Sequence, residues 1–175
     1  MIIREADSTD ARGIAKVHVD SWRTTYRNVV PDSFLERISY DQRTELWINN
    51  ISKETSESAH IFVAENEEKE IVGFSSIGKR DTNRVEDSGD LTAIYLLESY
   101  QGKGIGKQLL KTSFEKFRGL DINRVFVEVL EDNQSRYFYE SNGAQFIRRE
   151  TVKIADKELN LLIYEWNNLR AVFDK

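Results

Sequence analysis

No cysteine occurs among the 175 residues. That excludes disulfide staples, thiolate metal sites and a cysteine nucleophile. Histidine is nearly as scarce: His18 and His60 are the only two, far apart in the chain, so no metal site is expected. A single proline, Pro31, and nine scattered glycines leave no Pro/Gly/Ser-rich linker, low-complexity tract or internal repeat. No apolar run approaches the ~20 residues needed to cross a bilayer. The opening stretch MIIREADSTD turns acidic within five residues and lacks the apolar segment of a signal peptide. A soluble cytoplasmic protein, with no membrane partner, is expected. Neither charge sign dominates: 25 basic residues face 30 acidic ones, for a net charge of −5. That balance argues against a nucleic-acid binder with a broad basic face.

What is present suits one domain spanning residues 1–175. Hydrophobic residues make up 39% of the chain, and a domain of this length buries roughly 70% of its unfolded surface. Ile2-Ile3-Arg4 reads as a first strand. Ser8-Thr9-Asp10 offers a cap to a helix with Ala11, Ile14, Ala15, Val19, Trp22 and Tyr26 at helical spacing. Pro31-Asp32 opens a second short helix, and Asp41 caps a third that carries Leu46, Trp47 and Ile51. His60–Glu65 and Ile71–Ile77 form a hairpin, and Lys79–Asp90 is one polar surface loop. Leu91–Leu97 is an almost unbroken apolar strand, a pattern that implies burial on both faces. A helix follows from the glycines near Gly104 to Gly119, then the strand Arg124–Leu130. Asn133–Ser141 is a short helix. Phe146–Ile154 and Leu159–Trp166 form a last hairpin around residues 155–158, whose edge is open to a homodimer. The whole is a mixed α/β order with about seven strands, mostly antiparallel, around a β-loop-α-β unit of parallel strands.

Gln101-Gly102-Lys103-Gly104-Ile105-Gly106 lies between that apolar strand and the helix. Amides at a helix start have no intrahelical acceptor and carry the positive end of the dipole. Glycines let an anion approach them closely. A bound pyrophosphate is the expectation, against a glycine-rich turn that binds nothing. The spacing fits neither a Walker loop nor a dinucleotide fingerprint, because Lys107 and Leu109 stand where each needs glycine. It fits Q-x-x-G-x-G.

With these residues in view, the chain resembles the GNAT N-acetyltransferase family from about Ile2 to Trp166. The likeness is sharpest in LTAIYLLESYQGKGIGKQLL and VLEDNQSRYFYESNGA. The resemblance implies the acyl-CoA N-acyltransferase (GNAT) fold and acetyl-CoA as cosubstrate. It places Gln101, Gly102, Lys103, Gly104, Ile105, Gly106 and Lys107 around the CoA pyrophosphate. Ile94, Tyr95 and Leu96 would run beside the pantetheine arm, with the Ile94 N–H as oxyanion donor. Asn133 would contact the cofactor arm, and Arg136 would reach a phosphate or face solvent. Tyr139 would protonate the leaving thiolate, and Asp90 would be a general base working through water or a loop aspartate. Glu128 is a second carboxylate, or a charge on the sheet face. Trp22 and Tyr26 either wall the acceptor cleft or belong to the core; Asp20 and Arg23 share that end of the first helix, and Trp47, Ser76 and Trp166 are further candidates with no separate support. His18 reads as a packed residue.

Two functions follow. One is direct transfer of acetyl from acetyl-CoA to a primary amine of a small molecule or peptide, since no thiol is available for an acyl-enzyme. The other is a non-catalytic acyl-CoA binding or sensing module on the same fold.

Overall fold

The computed structural model describes residues 1–52, 59–80 and 85–172. Strand β1 (Ile2–Glu5) leads through a 3-10 turn (Ser8–Asp10) into α1 (Ala11–Thr25), followed by α2 (Asp32–Arg37) and α3 (Tyr40–Ser52). Strands β2 (Ala59–Glu65), β3 (Ile71–Lys79) and β4 (Ser88–Leu96) come next. Then come α4 (Ile105–Gly119), β5 (Arg124–Leu130), α5 (Ser135–Ser141), β6 (Gln145–Ile154), β7 (Lys157–Trp166) and α6 (Leu169–Val172). The strands form one seven-stranded sheet in the order β1-β2-β3-β4-β5-β7-β6. Every pairing is antiparallel except β4 with β5.

The helices take opposite faces. Ile14, Ala15 and Val17 of α1 and Trp47 and Ile51 of α3 pack against Ile61, Val63 and Phe74, with Ala93 and Tyr95 of β4 beside them. Leu109, Leu110, Phe114 and Phe117 of α4 pack on the other face with Val125, Val127 and Leu162, and with Ile94 and Leu96 beside them. Strand alternation does this, because neighbouring residues of β4 point to opposite faces.

Several local expectations change. Asp10, the last of the expected cap residues, is the N-cap of α1 but makes no side-chain capping bond to it, and Asp7 caps the 3-10 turn before it, accepting the Thr9 N–H at 2.8 Å in a reciprocal pair with Asp10. Ser39 Oγ accepts the Gln42 N–H at 3.1 Å, so the cap of α3 is Ser39 rather than Asp41. The last hairpin turns within two residues, Ala155-Asp156, with Ala155 at φ 53°, so β7 starts at Lys157 and not at Leu159. The expected loop 79–90 falls partly on residues 81–84, outside the described residues, and β4 already begins at Ser88. No helix among the described residues is long and apolar enough to cross a membrane.

The largest departure is in β4. Its second half is only partly buried, although the apolar run implied cover on both faces. The strand pairs with β5 at Ser88–Arg124, Gly89–Val125 and Asp90–Phe126, and at no later position. Near the parting point β3 and β4 shift register: Ile77 faces Leu91, but Ser76 faces Ala93. Thr92 is therefore an extra residue, and its hydroxyl donates to the Ser76 carbonyl at 2.9 Å. A bulge of this kind bends its strand and increases the twist. Here it turns β4 away from β5, and the gap is a cleft.

A candidate acyl-CoA cleft between two parting strands

The cleft has a volume of about 780 Å³, within the range of pockets that enclose small ligands. Four elements build its walls: Ile94, Tyr95 and Leu96 of β4; Gln101, Gly102, Gly104, Gly106 and Lys107 of the following loop and helix; Asp132 to Ser135, Phe138 and Tyr139 around α5; and Ser21, Thr24 and Thr25 of α1.

The β4 wall presents backbone. The Leu97 N–H donates to the Val72 carbonyl at 2.9 Å, so Leu97 faces β3 with its polar groups, and by two-residue alternation Tyr95 does too. The N–H and C=O groups of Ile94 and Leu96 then point the other way, into the gap left by β5. The Leu96 carbonyl accepts from Gln101 Nε2 at 3.2 Å, in agreement with that direction.

The loop wall presents amides. Its first intrahelical bond runs from Gln108 N–H to Gly104 C=O at 3.1 Å. Among the described residues no acceptor is recorded for the amides from Gly102 to Lys107, and α4 has no side-chain cap. Gly102 and Gly104 adopt φ of 72° and 79°, a region costing other residues roughly 1–2 kcal/mol. A Cβ at either would meet no protein atom within 4 Å, so that space is open to a ligand. Free amides, the helix dipole and the Lys107 ammonium together fit a diphosphate. Lys103 does not line the cleft; its ammonium lies over the Tyr100 ring, 5.2 Å from the centroid. The Ile105 side chain is buried in the core, leaving only its backbone for the loop.

The α5 wall presents Tyr139. Its ring is held edge-on by Phe138 and Trp166 at centroid distances of 5.7 and 6.1 Å. The residue is 6% exposed, and its hydroxyl has no recorded hydrogen bond among the described residues. Burial first, and then the Tyr26 side chain, push its pKa far above the ordinary tyrosine value. The proton therefore stays on the oxygen until something in the cleft takes it. Asn133 spends both ends of its side chain on structure: Oδ1 accepts the Ser135 N–H at 2.8 Å and Nδ2 donates to Tyr26 Oη at 3.0 Å. It ties the start of α5 to α1 while lining the cleft. Arg136 turns outward, donating to Tyr137 Oη at 2.7 Å, and does not line the cleft.

Trp22 and Tyr26 do not line the cleft either. Tyr26 is buried, its ring 4.5 Å from that of Trp22 and packed with Val30, Leu35 and Ile38. Trp22 Nε1 donates to Tyr95 Oη at 3.0 Å. The face of α1 that does reach the cleft carries Ser21, Thr24 and Thr25, which reading the apolar stripe passed over. Small hydroxyls at i, i+3 and i+4 beside that stripe were the available signal. Asp90 is also apart: it forms an ion pair with Arg80 at the last paired position of β4 and is not among the lining residues. Glu128 is exposed on β5. Trp47 and Trp166 are core residues, and Ser76 is buried against Thr92. Asp20 accepts from Lys16 and Tyr40, and Arg23 donates to the Ile38 carbonyl.

Comparison with known proteins identifies the family and the fold. The family model described as Acetyltransferase (GNAT) family matches residues 18–144. The uncharacterized N-acetyltransferase YuaI of Bacillus subtilis (strain 168) is 34% identical over 170 residues, covering 97% of this chain and 95% of that protein. Among solved structures, the PaiA N-acetyltransferase of Thermoplasma acidophilum, in complex with coenzyme A, superposes with a TM-score of 0.77 at 21% identity, covering 94% of this chain and 96% of the other. YncA from Salmonella typhimurium, with its cofactor acetyl-CoA, gives a TM-score of 0.73 at 18% identity, with coverage of 97% and 94%.

Proposed function

This chain belongs to the acetyltransferase (GNAT) family, and from that premise we propose that it moves the acetyl group of acetyl-CoA directly onto a primary amine of a small molecule or peptide. One observation carries the reading. The amides of Gly102, Gly104, Gly106 and Lys107 and the hydroxyl of Tyr139, none with a recorded hydrogen-bond partner among the described residues, line the same cleft as the outward backbone of Ile94.

In this reading the diphosphate rests on the loop amides and the pantetheine arm runs along Ile94 and Leu96. The thioester oxygen accepts from the Ile94 N–H, which stabilises the charge that develops there during attack. The amine nitrogen bonds to the acyl carbon, the C–S bond breaks, and the sulfur takes the Tyr139 proton. The proton lost by the nitrogen leaves to water, and water returns a proton to the Tyr139 oxygen. With no thiol for an acyl-enzyme, both substrates react while held together, and proximity supplies much of the rate. A thiol has a pKa near ~8.5, so its thiolate is a fair leaving group even unprotonated. General-acid help of this kind is then worth about 10- to 100-fold, at or below the bottom of its usual range.

Thiol release from acetyl-CoA with a panel of amines tests the reading. Tyr139→Phe should lower kcat by about 10- to 100-fold with the melting temperature unchanged, because the lost hydroxyl has no recorded protein partner among the described residues. The raised Tyr139 pKa adds a pH signature. An alkylamine loses its proton near pH ~10.4, so the wild-type rate should rise with pH toward that value. No falling limb should appear near 10, where an ordinary tyrosine ionises. Tight CoA binding without transfer to any amine would favour the alternative, a non-catalytic acyl-CoA binding module.

A further inference from the structure

We propose that the Ser21 hydroxyl positions the acceptor amine, an inference that rests on the acetyl-transfer reading above. Ser21 lines the cleft from α1 and is 4% exposed, yet its Oγ has no hydrogen-bond partner among the described residues. Leaving a buried hydroxyl unsatisfied is unfavourable. The neighbouring Thr24 shows the contrast, since its hydroxyl already donates to the carbonyls of Asp20 and Ser21 at 3.1 Å each. A helical serine keeps two favourable staggered rotamers, so the Ser21 oxygen has a second position from which to meet a ligand in the cleft it lines.

Its position says which end of the ligand it meets. The pyrophosphate loop leads into α4, which packs with Ile94 and Leu96, whereas α1 packs on the opposite face of β4, with Ala93 and Tyr95. A ligand anchored on the loop amides reaches α1 only through the gap between β4 and β5, with its reacting end foremost. Ser21 therefore belongs to the acceptor side. Its oxygen accepts one N–H of the neutral amine and leaves the nitrogen lone pair directed at the acyl carbon.

The test compares wild type with Ser21→Ala. Ethanolamine, spermidine, glycinamide and a tripeptide with a free N-terminus serve as acceptor probes, and the best-turned-over probe is then titrated calorimetrically into CoA-saturated protein. The inference expects the amine Kd and KM to rise about 3- to 10-fold, the worth of one hydrogen bond. It expects the Kd of CoA alone to stay within twofold and the melting temperature not to fall. An amine Kd unchanged in an active enzyme overturns the inference and leaves the acetyl-transfer reading standing. So does a weakened CoA Kd with the amine unaffected, which would place Ser21 on the cofactor. Wild-type protein that binds CoA but neither binds nor acetylates any probe overturns both.

Discussion

Asp90 and Arg80 meet where β4 and β5 part, and their chemistry there is set by burial. The Arg80 side chain is 5% exposed, lies 4.3 Å over the Phe126 ring and pairs with the Asp90 carboxylate. A guanidinium so placed needs its counter-charge more than a distant amine needs a base. Removing one member of a buried pair strands the other, at a cost of several kcal/mol in the fully buried limit. The Asp90 side chain is 26% exposed, which reduces the effect. Asp90→Asn should therefore cost about 2 kcal/mol, lowering Tm by roughly 4–8 °C, while kcat per folded molecule changes less than about threefold. Thermal melts and steady-state rates on the same preparation check this. A hundredfold loss of kcat with Tm intact would make Asp90 the base after all. Asp90 could be placed by its distance from Gln101, but nothing in the sequence said that Arg80 would claim it, because partners across a strand pair are not neighbours in the chain.

At the scale of elements, the site depends on a loop that glycine shapes at the least cost and on a bulge that no residue type announces. Gly104 holds φ 79° at the N-cap of α4. Gly104→Ala should cost the αL penalty of roughly 1–2 kcal/mol, or relax the loop to avoid it. Either way the amides no longer converge. The expected outcome is a CoA affinity at least about tenfold weaker by calorimetry, with Tm lower by only about 2–8 °C. Unchanged CoA affinity would remove the loop from the site. This loop was legible in the sequence because glycine at that spacing is itself a statement about φ. The cleft beside it was less so. Thr92 is an ordinary strand residue, and the register shift it carries arises from how β3 and β4 pack together. The apolar run of β4 was correctly read as a strand, but the splaying of its second half from β5 left it only half-covered. On α1 the helical period placed Trp22 and Tyr26 on one stripe without telling which flank of that stripe would face the ligand.

For the molecule as a whole, the core between α1, α3 and the sheet carries a pH limit of its own. His18 is buried between α1, α3 and β4. Its Nδ1 accepts from Trp47 Nε1 at 3.1 Å and its ring stacks on Tyr95 at 5.4 Å. Burial first, and then the nearby Arg43 guanidinium, lower its pKa to about 4. An unfolded histidine takes up a proton near pH 6.5, whereas the folded one does not until about pH 4. Between those values the unfolded chain binds the extra proton, so stability falls as the pH falls. The contribution is intact above about 6.5 and erodes toward 4 by roughly 3 kcal/mol in all. The depressed carboxylates are Asp7, held by Thr9, Asp20, where hydrogen bonds from Tyr40 and Lys16 outweigh burial, and Glu131, held by Asn160 and Arg149; their contribution is lost as the pH falls from about 4.5 downward, where ordinary carboxylates titrate. Urea unfolding should therefore lose stability between pH 7 and 5, before carboxylate protonation dominates. The imidazole resonance of His18 in the folded protein should stay in its neutral position through the same range. A His18 resonance that titrates near pH 6.5 in the folded protein would mean that water reaches the ring, and that the aromatic packing of His18 with Tyr95, behind the cleft, is looser than these contacts describe.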